Sequence, residues 1–299
     1  MAASGSKEYT RVSQAIRFLR KLFVKRSAQV GALLILLLFG GAVLGPALIP
    51  YDPFDIQIEQ RLKPPSWEHL FGTDEQGRDL LSRVAYGSRY TIVIMLITTS
   101  IAVVGGVGLG LPSAYYGGRA DMLIMRIIDV MLGFPYILLI LAIVAIIGPS
   151  LVNAMIAIGI ANIPGFARVA RSAILVVKEQ EYVDAERALG AGNLRIMFHT
   201  VLPNILSPII VMVTLSMPSA VLSATSLSFL GLGAQPPNPE WGSMMVNARD
   251  YLMSATWVVV APGMAIFMCV LGINLLGNAL RDVLDPRDKT IRQGKAGAE

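Results

Sequence analysis

Apolar residues in this chain do not recur at amphipathic spacing but run on with little interruption. The runs cover 30–49, 90–112, 122–147, 151–170, 206–230 and 257–280. A helix of about 20 apolar residues spans the roughly 30 Å hydrocarbon core of a bilayer. The pattern therefore predicts an all-α membrane protein with six transmembrane helices. Four regions follow: a polar tail over 1–29, an anchor helix with a long polar segment over 30–89, a five-helix core over 90–280, and a tail over 281–299. The core contains a polar loop at 171–205.

Composition agrees. Of 299 residues, 54% are hydrophobic and only 15% charged, against about a quarter charged in a water-soluble domain. This excludes a soluble enzyme, a disordered chain and a disulfide scaffold. Cys269 is alone, so neither an internal disulfide nor a cysteine-based metal site is available. The net charge of +5 invites a nucleic-acid reading, but its distribution favours a membrane one, with no nucleic acid as partner. With the N-terminus inside, 18 Lys and Arg fall in inside segments and 6 in outside segments, while Asp and Glu divide 10 to 9. Only the basic residues are skewed, so both termini are expected in the cytoplasm of a bacterial inner membrane.

The tail ahead of the first run is too long and basic for a cleaved signal, and the run is read as a retained anchor. Val12, Ile16, Leu19 and Phe23 recur at spacings of 4, 3 and 4, with Arg and Lys on other faces. This predicts an amphipathic helix on anionic lipid headgroups.

Within the spans, Arg126 and Asp129 sit on one helical face. A proton relay is one reading; a mutually neutralising structural pair is the favoured one. His69 and His199 fall on opposite sides, and no H-E-x-x-H, G-x-S-x-G or G-x-x-x-x-G-K-[ST] motif occurs. Gly41 with Gly45, and Gly106 with Gly110, allow close helix approach. Pro135, Pro164, Pro218 and Pro262 permit kinks inside spans.

The most informative loop is 179–204, EQEYVDAERALGAGNLRIMFHTVLPN. Helix-forming residues lead to Leu189, then Gly190-Ala191-Gly192, then a second helical run to Pro203. Glycine at 190 supplies the positive φ that ends a helix. Tyr182, Ala185 and Leu189 share one face, with Glu181, Asp184, Glu186 and Arg187 around it. A rigid helix–turn–helix projecting from a membrane domain suits a partner's groove.

This loop resembles the E-A-A-x(3)-G-x(9)-I-x-L-P signature of ABC importer permeases. Asp184, Ala185, Gly190, Leu202 and Pro203 fall in register; the departures are Asp184 for the first Glu, Glu186 for the second Ala and Thr200 for the Ile. Three further stretches resemble the DppC/OppC-type permeases of dipeptide and oligopeptide importers: HLFGTDEQGRDLLSRVAYGSR at 69–89, SLSFLGLGAQPPNPEWGSM at 226–244 and NLLGNALRDVLDPR at 274–287. Asn278 stands where that family usually has Asp.

The resemblance implies a type I, MetI-like permease fold, with an N-terminal anchor helix crossing over the outer surface. The expected partners are a homologous second permease subunit, two ABC ATPase subunits that carry ATP and Mg, an extracytoplasmic peptide-binding protein and membrane lipids. No cofactor is expected on this chain, which is not an enzyme. Glu181, Asp184, Ala185, Gly190, Leu202 and Pro203 would couple it to the ATPase. Asp74, Arg78, Asp79, Gln235, Glu240 and Trp241 would form the surface meeting the binding protein. Thr73 with Gln76 reads as a capping box, Asp74 and Asp79 lack the calcium-loop pattern, and Trp241 suits an interfacial anchor. Import of glutathione or nickel is the alternative within the family; an ion-coupled secondary transporter is the alternative from another class.

Overall fold

The structure is a computed structural model that describes residues 18–284. The part of the basic tail that carries Val12 and Ile16, and the end of the tail beyond 284, lie outside the described residues.

The helices are α1 (Arg26–Leu48), α2 (Leu80–Tyr116), α3 (Gly118–Leu132), α4 (Tyr136–Ile147), α5 (Leu151–Val177), α6 (Glu181–Ala188), α7 (Leu206–Phe229), α8 (Trp241–Ala248) and α9 (Trp257–Leu284). A helical stretch at 18–23 precedes α1. Five of these, α1, α2, α5, α7 and α9, are each long and apolar enough to cross a membrane. The sixth expected span, 122–147, is not one straight helix: α3 and α4 meet at 94°. Proline explains the break. Pro135 has no N–H to continue a helix, and its own backbone is extended, with ψ 132°. Pro164, Pro218 and Pro262 lie inside α5, α7 and α9.

The second span is longer than its apolar run. α2 has 37 residues, about 55 Å at 1.5 Å per residue, so its first turns stand within the polar segment 50–89. Its N-cap is Asp79, whose carboxylate accepts from Ser82 N at 2.7 Å. The expected Thr73–Gln76 capping box does not form. Thr73 instead ties loop strands together, donating to Gln60 O and accepting from Lys63 N at 2.8 Å.

Glycine decides how closely the spans pack. A Cβ at Gly110 of α2 would lie 2.6 Å from Ala167 O of α5, and one at Gly159 of α5 would lie 2.7 Å from Ile101 Cβ of α2. α1 runs antiparallel along α9, where a Cβ at Gly31 would lie 2.7 Å from Gly272 O. Gly45 lets Ala85 of α2 approach from the other side.

This pairing puts Lys25 beside Asp282 at 2.7 Å. Both ends of the described chain and the α6 hairpin thus lie at one end of the bundle. The segments 49–79 and 230–256 form a cap at the other. Large apolar residues of α1, α3 and α4, among them Leu36, Val43, Leu123 and Ile146, are exposed, as a lipid-facing surface requires.

Candidate coupling hairpin and the opposite cap

The hairpin is built on the ends of α2 and α5. Val183 of α6 is fully buried with Ile196, Met197, Val201 and Ile205 against Leu111, Ala114, Ala170 and Ile174. Polar bonds lock the same joint. Tyr115 OH donates to Asn193 Oδ1 at 3.0 Å, and Lys178 Nζ to Ala114 O at 2.9 Å. Arg171 of α5 holds Asp121, in the first turn of α3, through two bonds of 2.7 and 2.6 Å. Such a two-pronged guanidinium–carboxylate pair fixes orientation as well as distance.

α6 ends as its sequence predicts. Gly190 has φ +84°; its N–H donates to Arg187 O at 2.9 Å and that of Ala191 to Glu186 O at 3.0 Å. These are the two bonds of a Schellman cap. The return arm carries a π-helical turn, Ile196–Val201, ahead of Leu202 and Pro203. Across the hairpin, Thr200 Oγ1 donates to Glu186 Oε2 at 2.7 Å.

Of the residues expected to couple, Glu181, Asp184, Ala185, Gly190 and Pro203 are exposed, and Leu202 is half-buried against the hairpin core. They share the exposed surface with Tyr182, Leu189, Leu194 and Phe198, and Leu189 is 87% exposed. The result is an apolar tip ringed by charge on a rigid neck.

At the cap, most of the residues expected to meet the binding protein lie inside this chain. Asp74, Arg78, Asp79, Glu240 and Trp241 are buried within this chain; among the six, Gln235 alone is exposed. Asp74 accepts from Arg78 Nε at 2.7 Å and from the Gln76 and Arg78 backbones, and lies 3.3 Å from Arg83 Nε. Arg83 also donates to Pro53 O at 2.8 Å, and Asp79 pairs with His69 Nδ1 at 3.0 Å. Apart from Arg83 Nε, which has an ion-pair neighbour but no hydrogen bond, these buried groups satisfy one another and the backbone of a loop whose own regular structure is the single turn Ile58–Gln60.

Glu240 caps α8, accepting from Gly242 N and Ser243 N at 2.9 Å. Burial pushes its carboxyl above the ordinary range, against the opposing effect of those N–H groups. Burial, then the neighbouring Asp74, does the same to Glu75. Trp241 is not an interfacial anchor: its indole is enclosed by the cap core and donates to Val84 O at 3.0 Å.

The intramembrane charges also pair differently. Asp129 binds Arg168 of α5 at 2.7 Å, so the neutralising pair forms between helices and not with Arg126 three residues back. Sequence spacing shows which residues share a helix face, but which helix packs beside that face is a tertiary matter.

The bundle and its braced hairpin define a helical membrane permease. The chain belongs to the family of binding-protein-dependent transport system inner membrane components, whose model matches residues 106–289; the N-terminal TM domain of oligopeptide transport permease C matches residues 13–65. It is an ABC importer permease subunit, a multi-pass membrane protein that works with other subunits of such a transporter, and not an enzyme.

Its relatives include the di/tripeptide transport system permease protein DppC of Pseudomonas aeruginosa (strain UCBPP-PA14), 48% identical over 88% of this chain and 89% of the relative. The dipeptide transport system permease protein DppC of Alkalihalophilus pseudofirmus is 46% identical over 95% and 93%. The glutathione transport system permease protein GsiD of Pectobacterium atrosepticum is 41% identical over 91% of each. Among solved structures, a chain of the inward-facing MetNI methionine ABC transporter superposes with a TM-score of 0.56 at 18% identity, over 68% of this chain and 96% of that one. That likeness establishes the MetI-like fold.

Proposed function

We propose that this chain forms half of the pathway of an ATP-driven importer of dipeptides or oligopeptides, paired with a homologous second permease. Two cytoplasmic ATPase subunits carry ATP and Mg, and an extracytoplasmic binding protein delivers the peptide. The observation that carries the reading is the α6 hairpin: an exposed apolar tip on a neck braced to α2 and α5. A tip joined this stiffly moves with the spans, so closure of an ATPase dimer against it tilts them and switches the pathway from inward- to outward-facing. Glu181, Asp184, Ala185, Gly190, Leu202 and Pro203 are the coupling residues.

The excess of Lys and Arg at the hairpin end supports an orientation with that end, and both termini, in the cytoplasm. The cap over 49–79 and 230–256 then meets the binding protein. Gln235 is the one contact retained from sequence, while Asp74, Arg78, Asp79, Glu240 and Trp241 support that surface from beneath. The division into a tail over 1–29, anchor and cap segment over 30–89, core over 90–280 and tail over 281–299 describes this organisation, with α2 bridging cap and core.

Peptide is favoured as the substrate by the relatives at 46–48% identity that carry dipeptide or tripeptide names; the glutathione relative supports the second reading at 41%. The test is uptake into vesicles holding the whole transporter, with binding protein outside and ATP inside. Labelled dipeptide should accumulate without any ion gradient and in preference to glutathione. Accumulation that needs an ion gradient and not ATP overturns the proposal.

A further inference from the structure

The exposed surface of the spans is not uniformly apolar. One strip carries hydroxyl and amide groups at membrane depth, where a lipid-facing polar group has no water to satisfy it. On α7, Ser219, Ser223 and Ser226 recur at spacings of 4 and 3 on one face, each exposed or half-exposed. Tyr136, at the α3–α4 elbow, reaches both neighbours: its hydroxyl lies 3.4 Å from Ser223 Oγ and accepts from Asn162 Nδ2 of α5 at 3.0 Å. About two turns further along α5 toward the hairpin, the Arg168–Asp129 pair continues the strip, with both side chains more than half exposed. The strip thus runs from the cap half of α7, through the elbow, to the hairpin half of α5. The outward faces of α1 and α4 offer Leu36, Val43 and Ile146 instead.

We infer that this strip is the wall of the transport pathway, and that Tyr136, Asn162 and Ser223 contact the main-chain amides of a short peptide in passage. The inference rests on the importer reading above and adds to it the pathway face and the chemistry of recognition. Hydroxyls donate and accept, and the Asn side chain does both, which matches a peptide backbone. The one charged pair is internally neutral, so the wall offers no net charge to select a side chain by. Serines a helical turn apart, about 5–6 Å, offer successive partners to an extended backbone.

The experiment uses the complete transporter in vesicles, with Cys269→Ser and single cysteines at Ser219, Ser223 and, as a lipid-facing control, Val43. A membrane-impermeant cationic methanethiosulfonate is the probe. The Ser219 and Ser223 cysteines should react at least tenfold faster than the Val43 cysteine. Dipeptide-loaded binding protein with ATP should slow the Ser223 reaction severalfold. Cysteines at 219 and 223 as inert as the one at 43, with and without ATP, overturn the pathway assignment. Fast labelling unaffected by peptide overturns the peptide contact. Labelling is read independently of uptake, so a transporter that fails to import peptide defeats the importer reading while the strip is still judged by its access to water.

Discussion

Glu186 and Thr200 touch across the hairpin: Thr200 Oγ1 donates to Glu186 Oε2 at 2.7 Å. These are two of the three positions at which the loop departs from the permease signature, where Ala and Ile are usual. In this chain the two departing positions meet, so that a hydrogen bond joins the arms where the signature residues would both be apolar. Thr200 is buried and Glu186 half-buried, so the bond is partly shielded from water.

That relationship predicts non-additivity. Thr200→Ile alone strands the Glu186 carboxylate and should cost about 1 kcal/mol. Glu186→Ala with Thr200→Ile restores the signature pair and should return to within about 0.5 kcal/mol of wild type, since replacing both partners by apolar groups is nearly neutral. Thermal unfolding of the purified transporter with the two single variants and the double one measures this. Simple addition of the single effects would show that the bond contributes nothing.

Gly190 tests coupling. A Cβ there meets nothing within 4 Å, so any penalty comes from the backbone at φ +84° and is about 1 kcal/mol or more. Gly190→Leu should reduce peptide uptake and substrate-stimulated ATP hydrolysis together, while Gly190→Asn, which tolerates this backbone, should retain most of both. Full stimulation in Gly190→Leu would leave the hairpin a structural element only.

Gly110 tests packing. With Ala167 O 2.6 Å from the position of an added Cβ, Gly110→Leu forces α2 and α5 apart. The loss should exceed the roughly 1–3 kcal/mol typical of overpacking, because backbone and not a flexible side chain stands in the way. Membrane-fraction yield and resistance to proteolysis should both drop sharply, whereas Gly108→Leu, where the space is open, should leave them near wild type.

Glu240 carries a pH dependence with a definite sign. Its folded carboxyl holds its proton more tightly than the unfolded one does, so the folded state binds more protons between the ordinary carboxylate range and the raised value. Stability from this group is present at acid pH and is lost as pH rises through the folded pKa. Wild type should gain stability relative to Glu240→Gln as pH falls from about 7.5 to about 4.5. Melting curves across that range settle the sign; a relative loss on acidification refutes it.

Orientation is checked with impermeant maleimide on a Cys269→Ser background. Trp67→Cys, at a cap position 97% exposed, should label from outside intact cells or spheroplasts, and Leu189→Cys at the hairpin tip should not. Labelling of the hairpin position alone reverses the topology.

The features legible in sequence share a local cause. Run length and missing charge mark a membrane span without reference to any neighbour, so α1, α2, α5, α7 and α9 fall on five of the six apolar runs. The end of α6 was equally legible, because the positive φ at Gly190 is a demand of its own backbone. Proline chemistry at Pro135 was visible too, but read as a kink; how far the chain bends there depends on what α5 offers the two halves.

The rest depends on which helix lies beside which. Asp129 shares a helical face with Arg126, yet binds Arg168, 39 residues away, because α5 packs against α3 there. The acidic and basic residues of 74–83 look like a surface motif until the loop folds over α2 and turns them inward on one another. Glu240 and Trp241 are likewise enclosed only when α8 docks. The polar strip of Tyr136, Asn162 and Ser223 joins three segments whose individual serines and amides carry no signal. Residue type and spacing determined that this chain crosses a membrane and presents a hairpin; long-range packing alone decided which of its polar groups face one another and which remain exposed.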